Sequence, residues 1–146
     1  MIQEWFVLRG GNARSLPESL LDFTEFRQGY DLAVVDVSFI SQAKVLPSLV
    51  PLLKPGGQQL LSLVKPQFEV GLGGLGKGGI VRDSSLYSEV EKFIKACCIG
   101  LGLNIRGYFD SSITGGDGNR EFLSGPCVVE HGGRMPRNSR RDSCPP

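Results

Sequence analysis

DLAVVDVSFIS, residues 31–41, decides the fold class of this chain, because its first part is a nearly continuous apolar strand. A continuous apolar run predicts burial on both faces, as in a parallel sheet that is covered by helices. The segment FISQAKVLPSLVPLLKPGG (39–57) then predicts a helix, with a kink or a late start caused by Pro47 and Pro51. QQLLSLVKP (58–66) predicts a second buried strand. Short strands that alternate with helices indicate an α/β protein.

The same alternation continues on both sides of this unit. An earlier strand is predicted at Trp5–Leu8, and later strands are predicted over 103–110 and 121–129. Between them, residues 83–85 can cap a helix that runs to about Leu101. The chain therefore has the elements of one sheet with helices packed against it.

Composition narrows the class of protein. The 146 residues, of which 40% are apolar and 21% charged, fit one globular domain. No apolar run reaches the ~18 residues of a transmembrane helix, and the start does not read as a signal peptide, so we expect a cytoplasmic protein. The four cysteines include no C-x-x-C pair, and His131 is the single histidine, which argues against a metal site. Cys97, Cys98 and Cys127 are expected to be buried, inert thiols.

The net charge of +1 is unevenly distributed. Residues 131–146 are rich in arginine and in chain breakers and have no apolar period. This composition predicts a disordered basic tail behind a domain that spans residues 1–130. The body of the chain is not a polycation, so any contact with nucleic acid must come from a local patch.

Three ionisable side chains stand where predicted strands end or begin. Asp36 and Lys65 close the first two buried strands, and Glu121 opens the last strand. Each has an ordinary structural interpretation, with Asp36 as a cap or ion-pair partner, Lys65 as a solvated strand end and Glu121 as an exposed turn residue. Together they are more informative, because the strand ends of such a sheet converge on one rim, where ligands bind. A lysine between two carboxylates can be tuned for proton transfer.

Five strings of the sequence resemble segments of FtsJ-like methyltransferases of the TlyA, or hemolysin-A-like, type. They stand in the family's order, and they are DLAVVDVSFIS, LKPGG, LVKPQFEVG, GKGGIVRD and SSITGGDGNREFL. The resemblance covers about residues 5–123. It implies a Rossmann-like methyltransferase sheet, mostly parallel, with its first strands upstream of Met1. It also implies that the antiparallel last strand is inserted between the two strands before it.

The resemblance implies a chemistry as well. The family transfers a methyl group from S-adenosylmethionine to a ribose 2′-hydroxyl of RNA, such as rRNA, through a Lys-Asp-Lys-Glu tetrad. Asp36 matches the Asp of the tetrad, Lys65 its second Lys and Glu121 its Glu. In this interpretation Lys65 takes the proton of the hydroxyl. Asn12 matches a position that approaches the adenine of the cofactor, and Asp36 is also expected at the cofactor.

The first lysine of the tetrad and the glycine-rich cofactor loop are expected upstream of Met1. We therefore expect this chain to be incomplete, and inactive when it is alone. The run Gly71–Gly79 resembles the substrate-side loop of the family rather than a cofactor cradle. The alternative is a non-catalytic relic, or an RNA-binding or scaffold module. A hydrolase is disfavoured, because the sequence has no G-x-S-x-G elbow.

Overall fold

A five-stranded sheet with two helices on one face forms the part of the chain that the computed structural model describes, residues 30–54 and 59–129. The elements, in chain order, are β1 (Leu32–Asp36), α1 (Gln42–Leu49), β2 (Gln59–Val64), α2 (Ser85–Gly100), β3 (Leu103–Ile105), β4 (Tyr108–Asp110) and β5 (Phe122–Val129). The predictions for Asn12, for a strand at Trp5–Leu8, for the basic tail over 131–146 and for the domain bounds at residues 1 and 130 fall outside the described residues.

The strand order is β1-β2-β5-β3, and β4 pairs with the same edge of β5. β1 and β2 are parallel, whereas β5 is antiparallel to β2, β3 and β4. Four strands therefore run in one direction, and the last strand runs against them from a position between β2 and β3. This arrangement confirms the predicted methyltransferase-like sheet.

The strand predicted over 103–110 is divided into β3 and β4. Both parts pair with β5 in one continuous register, in which Arg106 would face Pro126. Proline has no N–H to donate, so the ladder is interrupted there. On its other edge, β5 has a register shift against β2 between Leu60 and Ser62. This shift is a β-bulge in β5, where Gly125 and Pro126 together lie opposite Leu61 of β2.

The prediction that the first two strands are buried on both faces is wrong. Along β1 and β2, exposed and buried side chains alternate. Val34 is 63% exposed, and Leu32 and Leu61 are exposed as well. The described helices cover only the opposite face, where Val35 and Leu60 are buried. An apolar run indicates which residues can be buried, but it does not indicate what covers each face.

Helix α1 begins at Gln42, three residues later than the predicted segment, and Pro47 lies inside it. Ser41 caps its first turn, because the Ser41 hydroxyl accepts the Ala43 N–H at 3.2 Å. The buried Gln42 side chain then ties the helix to β2. Its amide donates to the Leu63 carbonyl at 2.8 Å, and its oxygen accepts the Ser62 hydroxyl at 2.5 Å. The helix ends at Leu49 and continues as one 3-10 turn that contains Pro51.

Helix α2 runs over most of the predicted range. Its N-cap residue is Ser84, and the carboxylate of the preceding Asp83 accepts the Ser85 N–H at 2.8 Å, which lowers the pKa of Asp83. Gly102, with φ +78°, follows the last turn in the left-handed conformation. Cys97 and Cys98 are buried in α2 as predicted, whereas the side chain of Cys127 is outside the described part. Among the helices of residues 30–54 and 59–129, none has the length and apolar character needed to cross a membrane.

The core between the sheet and α2 yields the first testable expectation. Ile94 is fully buried in that core, whereas Ile99 lies on the exposed side of the same helix. Ile94→Ala should lower the free energy of unfolding by about 2–5 kcal/mol, because it leaves a cavity. Ile99→Ala, the matched control, should change it by less than about 0.5 kcal/mol. Urea unfolding followed by circular dichroism measures both, and equal midpoints would contradict the packing described here.

Candidate active site

Lys65 stands at the end of β2, and its amine meets the loop that follows β1. The Lys65 Nζ lies 2.7 Å from Asp36 Oδ1 and donates to the Ser38 hydroxyl at 3.1 Å. The parallel register explains both contacts: Asp36 pairs with Leu63, so that Ser38 falls beside Lys65 two residues further on. The Lys65 side chain is only 15% exposed, whereas that of Asp36 is 62% exposed. The expected contact between this lysine and this carboxylate is therefore present.

Glu121 lies next to Lys65 in the sheet without touching it directly. Val64 pairs with Phe122 in the antiparallel register of β2 and β5, which puts Lys65 and Glu121 side by side at the next position and on the same face. Within the described residues Glu121 forms no ion pair within 4.0 Å. Its buried carboxylate packs over Gly115, where a Cβ atom would come within 2.9 Å of Glu121 Oε1. The three predicted residues thus share one rim, with only the first two in contact.

Glu69 is a member of this rim that the sequence reasoning missed. One carboxylate oxygen accepts the Ser41 hydroxyl at 2.6 Å, and the other accepts the Gln42 N–H at 2.9 Å. Burial raises the pKa of the Glu69 carboxyl, although these two hydrogen bonds oppose the rise. Glu69 therefore fastens the turn that follows Lys65 to the start of α1. The loop between Asp36 and Ser41 is held at both of its ends.

Phe39, inside that loop, has an unusual conformation and an unusual exposure. Its φ is +63°, the only positive value at a non-glycine residue in the described part of the chain. Its side chain is 90% exposed, and its ring contacts the ring of Phe68 at a centroid distance of 4.9 Å, with an angle of 49° between the two ring planes. A positive φ in a bulky residue costs free energy, and such strain concentrates at functional sites. An exposed aromatic ring next in sequence to Ser38, which binds Lys65, offers a surface on which a nucleic-acid base can stack.

The signal for the missed residues was present in the sequence. Ser38, Phe39 and Ser41 belong to the string DLAVVDVSFIS, and Glu69 belongs to LVKPQFEVG. The structure explains why both strings carry so many polar and aromatic residues, since the two loops that they form hold each other at the rim.

A family model for FtsJ-like methyltransferases matches residues 1–125, which is most of the chain. The chain belongs to the FtsJ-like methyltransferase family. It is 46% identical to YqxC of Bacillus subtilis over 100 residues, which are 68% of this chain and 35% of that protein. It is 39% identical over 118 residues, or 80% of this chain, to the 16S/23S rRNA (cytidine-2'-O)-methyltransferase TlyA of Mycobacterium tuberculosis, of which it covers 41%.

A solved structure agrees with these relatives. A hemolysin-like protein from Streptococcus thermophilus superposes with a TM-score of 0.69 at 41% identity, over 81% of this chain and 40% of the other. This FtsJ-like chain thus spans well under half the length of these relatives. Residues 1–125, which the family model matches, contain all the rim residues described above.

The raised pKa of Glu69 makes a prediction with a definite sign. A group whose pKa is higher in the folded state than its ordinary value of 4.5 stabilises the fold below that value, and the contribution is lost as the pH rises through the folded pKa. Glu69→Gln lacks this dependence and keeps an acceptor for the Gln42 N–H. The stability of Glu69→Gln relative to the wild type should therefore increase as the pH rises from about 4.5 through the folded-state pKa of Glu69.

Urea unfolding at several pH values measures this trend. Glu89→Gln, which removes an exposed carboxylate from α2, is the control for the loss of one charge. Glu69→Ala should destabilise the fold at every pH, because the Gln42 N–H loses its partner. A difference between wild type and Glu69→Gln that stays constant with pH would show that burial does not control this carboxyl.

Proposed function

We propose that this chain carries the proton-accepting part of an rRNA 2′-O-ribose methyltransferase that uses S-adenosylmethionine. The observation that supports this most strongly is the position of Lys65, with its stem buried and its amine held by Asp36 at 2.7 Å and Ser38 at 3.1 Å. A group that moves a proton must be fixed within hydrogen-bond reach of the reacting atom. Membership of the FtsJ-like family supplies the reaction class.

The two contacts leave one direction of the amine open. A lysine amine has three substituent positions around nitrogen besides its carbon, and Asp36 and Ser38 take two of them. When Lys65 is neutral, its lone pair occupies the third position and can accept the proton of a ribose 2′-hydroxyl. The hydroxyl oxygen then forms a bond with the methyl carbon as the carbon–sulfur bond breaks. Asp36 stabilises the positive charge that Lys65 gains.

Glu121 has a different part in this proposal. It lies beside Lys65 in the sheet register but forms no direct ion pair with it, and its carboxylate is buried over Gly115. We assign to it the second negative charge that the site needs when Lys65 becomes protonated. Because the two side chains form no direct ion pair, we assign to Glu121 an action through the ribose or through a water molecule placed between them.

The cofactor fits the described residues in part. Asp36 is 62% exposed at the rim, and only its Oδ1 is engaged by Lys65, so its second oxygen can face a cation such as the sulfonium. When bound, S-adenosylmethionine supplies the methyl group as an electrophile. The Asn12 assignment toward its adenine stays a prediction, because that residue lies outside the described part. RNA is the proposed partner, and Phe39 is the proposed surface for one of its bases.

The proton-transfer role can be tested in a chimera, because the relatives are longer than this chain. The segment of YqxC that aligns with this chain is replaced by the present sequence, and methyl transfer to rRNA is followed with labelled cofactor. Lys65→Met should slow transfer by a factor on the order of 10²–10⁴, the usual contribution of a general base. Lys54→Met is the matched control, because Lys54 also pairs with an aspartate, Asp31, at 2.7 Å but away from the rim.

The rates of the two chimeras distinguish a role of Lys65 in proton transfer from a general loss of stability. Transfer at the parental rate in the Lys65→Met chimera would remove Lys65 from the chemistry and leave the alternative of an RNA-binding or scaffold module. Equal losses in Lys65→Met and Lys54→Met would attribute the effect to lost stability instead. Slow transfer with Lys65→Met alone supports the proposed role.

We further propose that the 146-residue chain alone does not bind S-adenosylmethionine at micromolar concentration. A cofactor carboxylate needs free backbone N–H groups, and in the glycine loop those of Gly74, Gly76 and Gly79 already donate within the loop. Each polar group of a ligand left without its partner costs about 1–3 kcal/mol. Calorimetric titration should give no saturable heat, whereas a dissociation constant in the micromolar range would overturn this claim.

A further inference from the structure

Asn119 is a buried polar side chain whose two functional groups both bind a distant loop. The side chain is 1% exposed. Its Oδ1 accepts the Val81 N–H at 3.1 Å, and its Nδ2 donates to the Gly79 carbonyl at 3.1 Å. The buried amide thus forms its hydrogen bonds with the backbone of a loop about 40 residues earlier in the chain. These bonds fix the position of that loop.

The loop in question, Gly71–Arg82, has a hairpin at its end. Leu75 pairs with Val81, and the Gly76 N–H donates to the Ile80 carbonyl at 2.7 Å. Gly78 and Gly79 have positive φ values and make the turn, where Lys77 is exposed. These bonds shape the hairpin internally. Among the hydrogen bonds of residues 30–54 and 59–129, those of Asn119 are the ones that join the hairpin to the turn between β4 and β5.

Asn119 also belongs to the turn that leads to Glu121. Its carbonyl accepts the Gly115 N–H at 2.8 Å, and the Gly118 N–H donates to the Gly115 carbonyl at 2.9 Å. The Glu121 carboxylate packs over the same Gly115. A continuous series of contacts therefore runs from the glycine hairpin through Asn119 and Gly115 to Glu121.

We infer that Asn119 is a positioning residue, which holds the glycine loop and Glu121 in one fixed relation. In this inference the glycine loop is held in a fixed position against the turn that leads to Glu121, and it does not move independently of that turn. The relevance of this coupling to catalysis rests on the proposed function of Glu121. The coupling itself does not, and it can be measured in the chain without RNA or cofactor.

Trypsin and amide hydrogen exchange give the test. In Asn119→Ala the hairpin loses both of its bonds to the turn, and cleavage after Lys77 should become about tenfold faster. Cleavage after Lys92 in α2 is the internal reference for global unfolding and should stay unchanged. The amides of Gly115 and Gly118 should exchange faster together with that of Val81, since the turn loses its support. Asp117→Ala, an exposed change in the same turn, is the matched control.

Asn119→Asp separates positioning from a general loss of stability. A neutral Asp has the same pattern as Asn, with an oxygen for the Val81 N–H and a hydroxyl for the Gly79 carbonyl, whereas an ionised Asp cannot donate. Slow exchange at Val81, corrected for intrinsic rates, should therefore return when the pH is lowered below about 4, where an ordinary aspartic acid becomes neutral. Three results would each overturn the inference: unchanged cleavage after Lys77 in Asn119→Ala, cleavage after Lys92 that rises in parallel, or no recovery of Asn119→Asp at low pH.

Discussion

The pairing of β5 with β2 is the constraint on which the rim of this protein depends. The Gly125-Pro126 bulge shifts the register by one residue within this pair, and beyond it Val64 faces Phe122. Without the shift Lys65 would face Phe122, and a slip of one residue exchanges the two faces of a strand. Glu121 would then point toward the helices and Phe122 away from them. The bulge therefore places Phe122 in the core and Glu121 on the face of Lys65 at the same time.

The rim combines costly features that support one another. The positive φ of Phe39 costs free energy, because a bulky side chain disfavours it. The burial of the Glu69 carboxylate costs free energy as well, because the group loses contact with water. The hydrogen bonds from Ser41 and Gln42 offset the burial of Glu69, and the ring of Phe68 supports that of Phe39. The loop after β1 and the turn after β2 are consequently fixed relative to each other. Lys65 sits between them, so the position of its amine is set by both.

Local apolar patterns predicted the strands and the three ionisable residues at their ends, whereas the strand order and the antiparallel last strand were implied by the resemblance to the FtsJ-like family. Sequence reasoning missed the Glu69 contacts, which join residues 27 and 28 positions apart and depend on how two loops fold. It also missed the break near Arg106, because that break arises from a proline on the neighbouring strand and needs the register to be known. The prediction that both faces of β1 are buried was wrong for a related reason, since the apolar pattern of one strand does not indicate which elements pack on its two faces.

The two ends of β1 show how the same pair of residue types acquires different properties. Lys54 and Asp31 are 2.7 Å apart, as are Lys65 and Asp36, so distance does not distinguish them. The Lys54 side chain is 33% exposed and its pair is screened by solvent, which makes an ion pair of this kind weak. Lys65 is more deeply buried, has a second acceptor in Ser38 and has a carboxylate neighbour in the sheet register. In such surroundings charges interact more strongly. The features that distinguish Lys65 from Lys54 are its deeper burial, its contact with Ser38 and its position next to Glu121, and all three follow from the strand register and the loops around it.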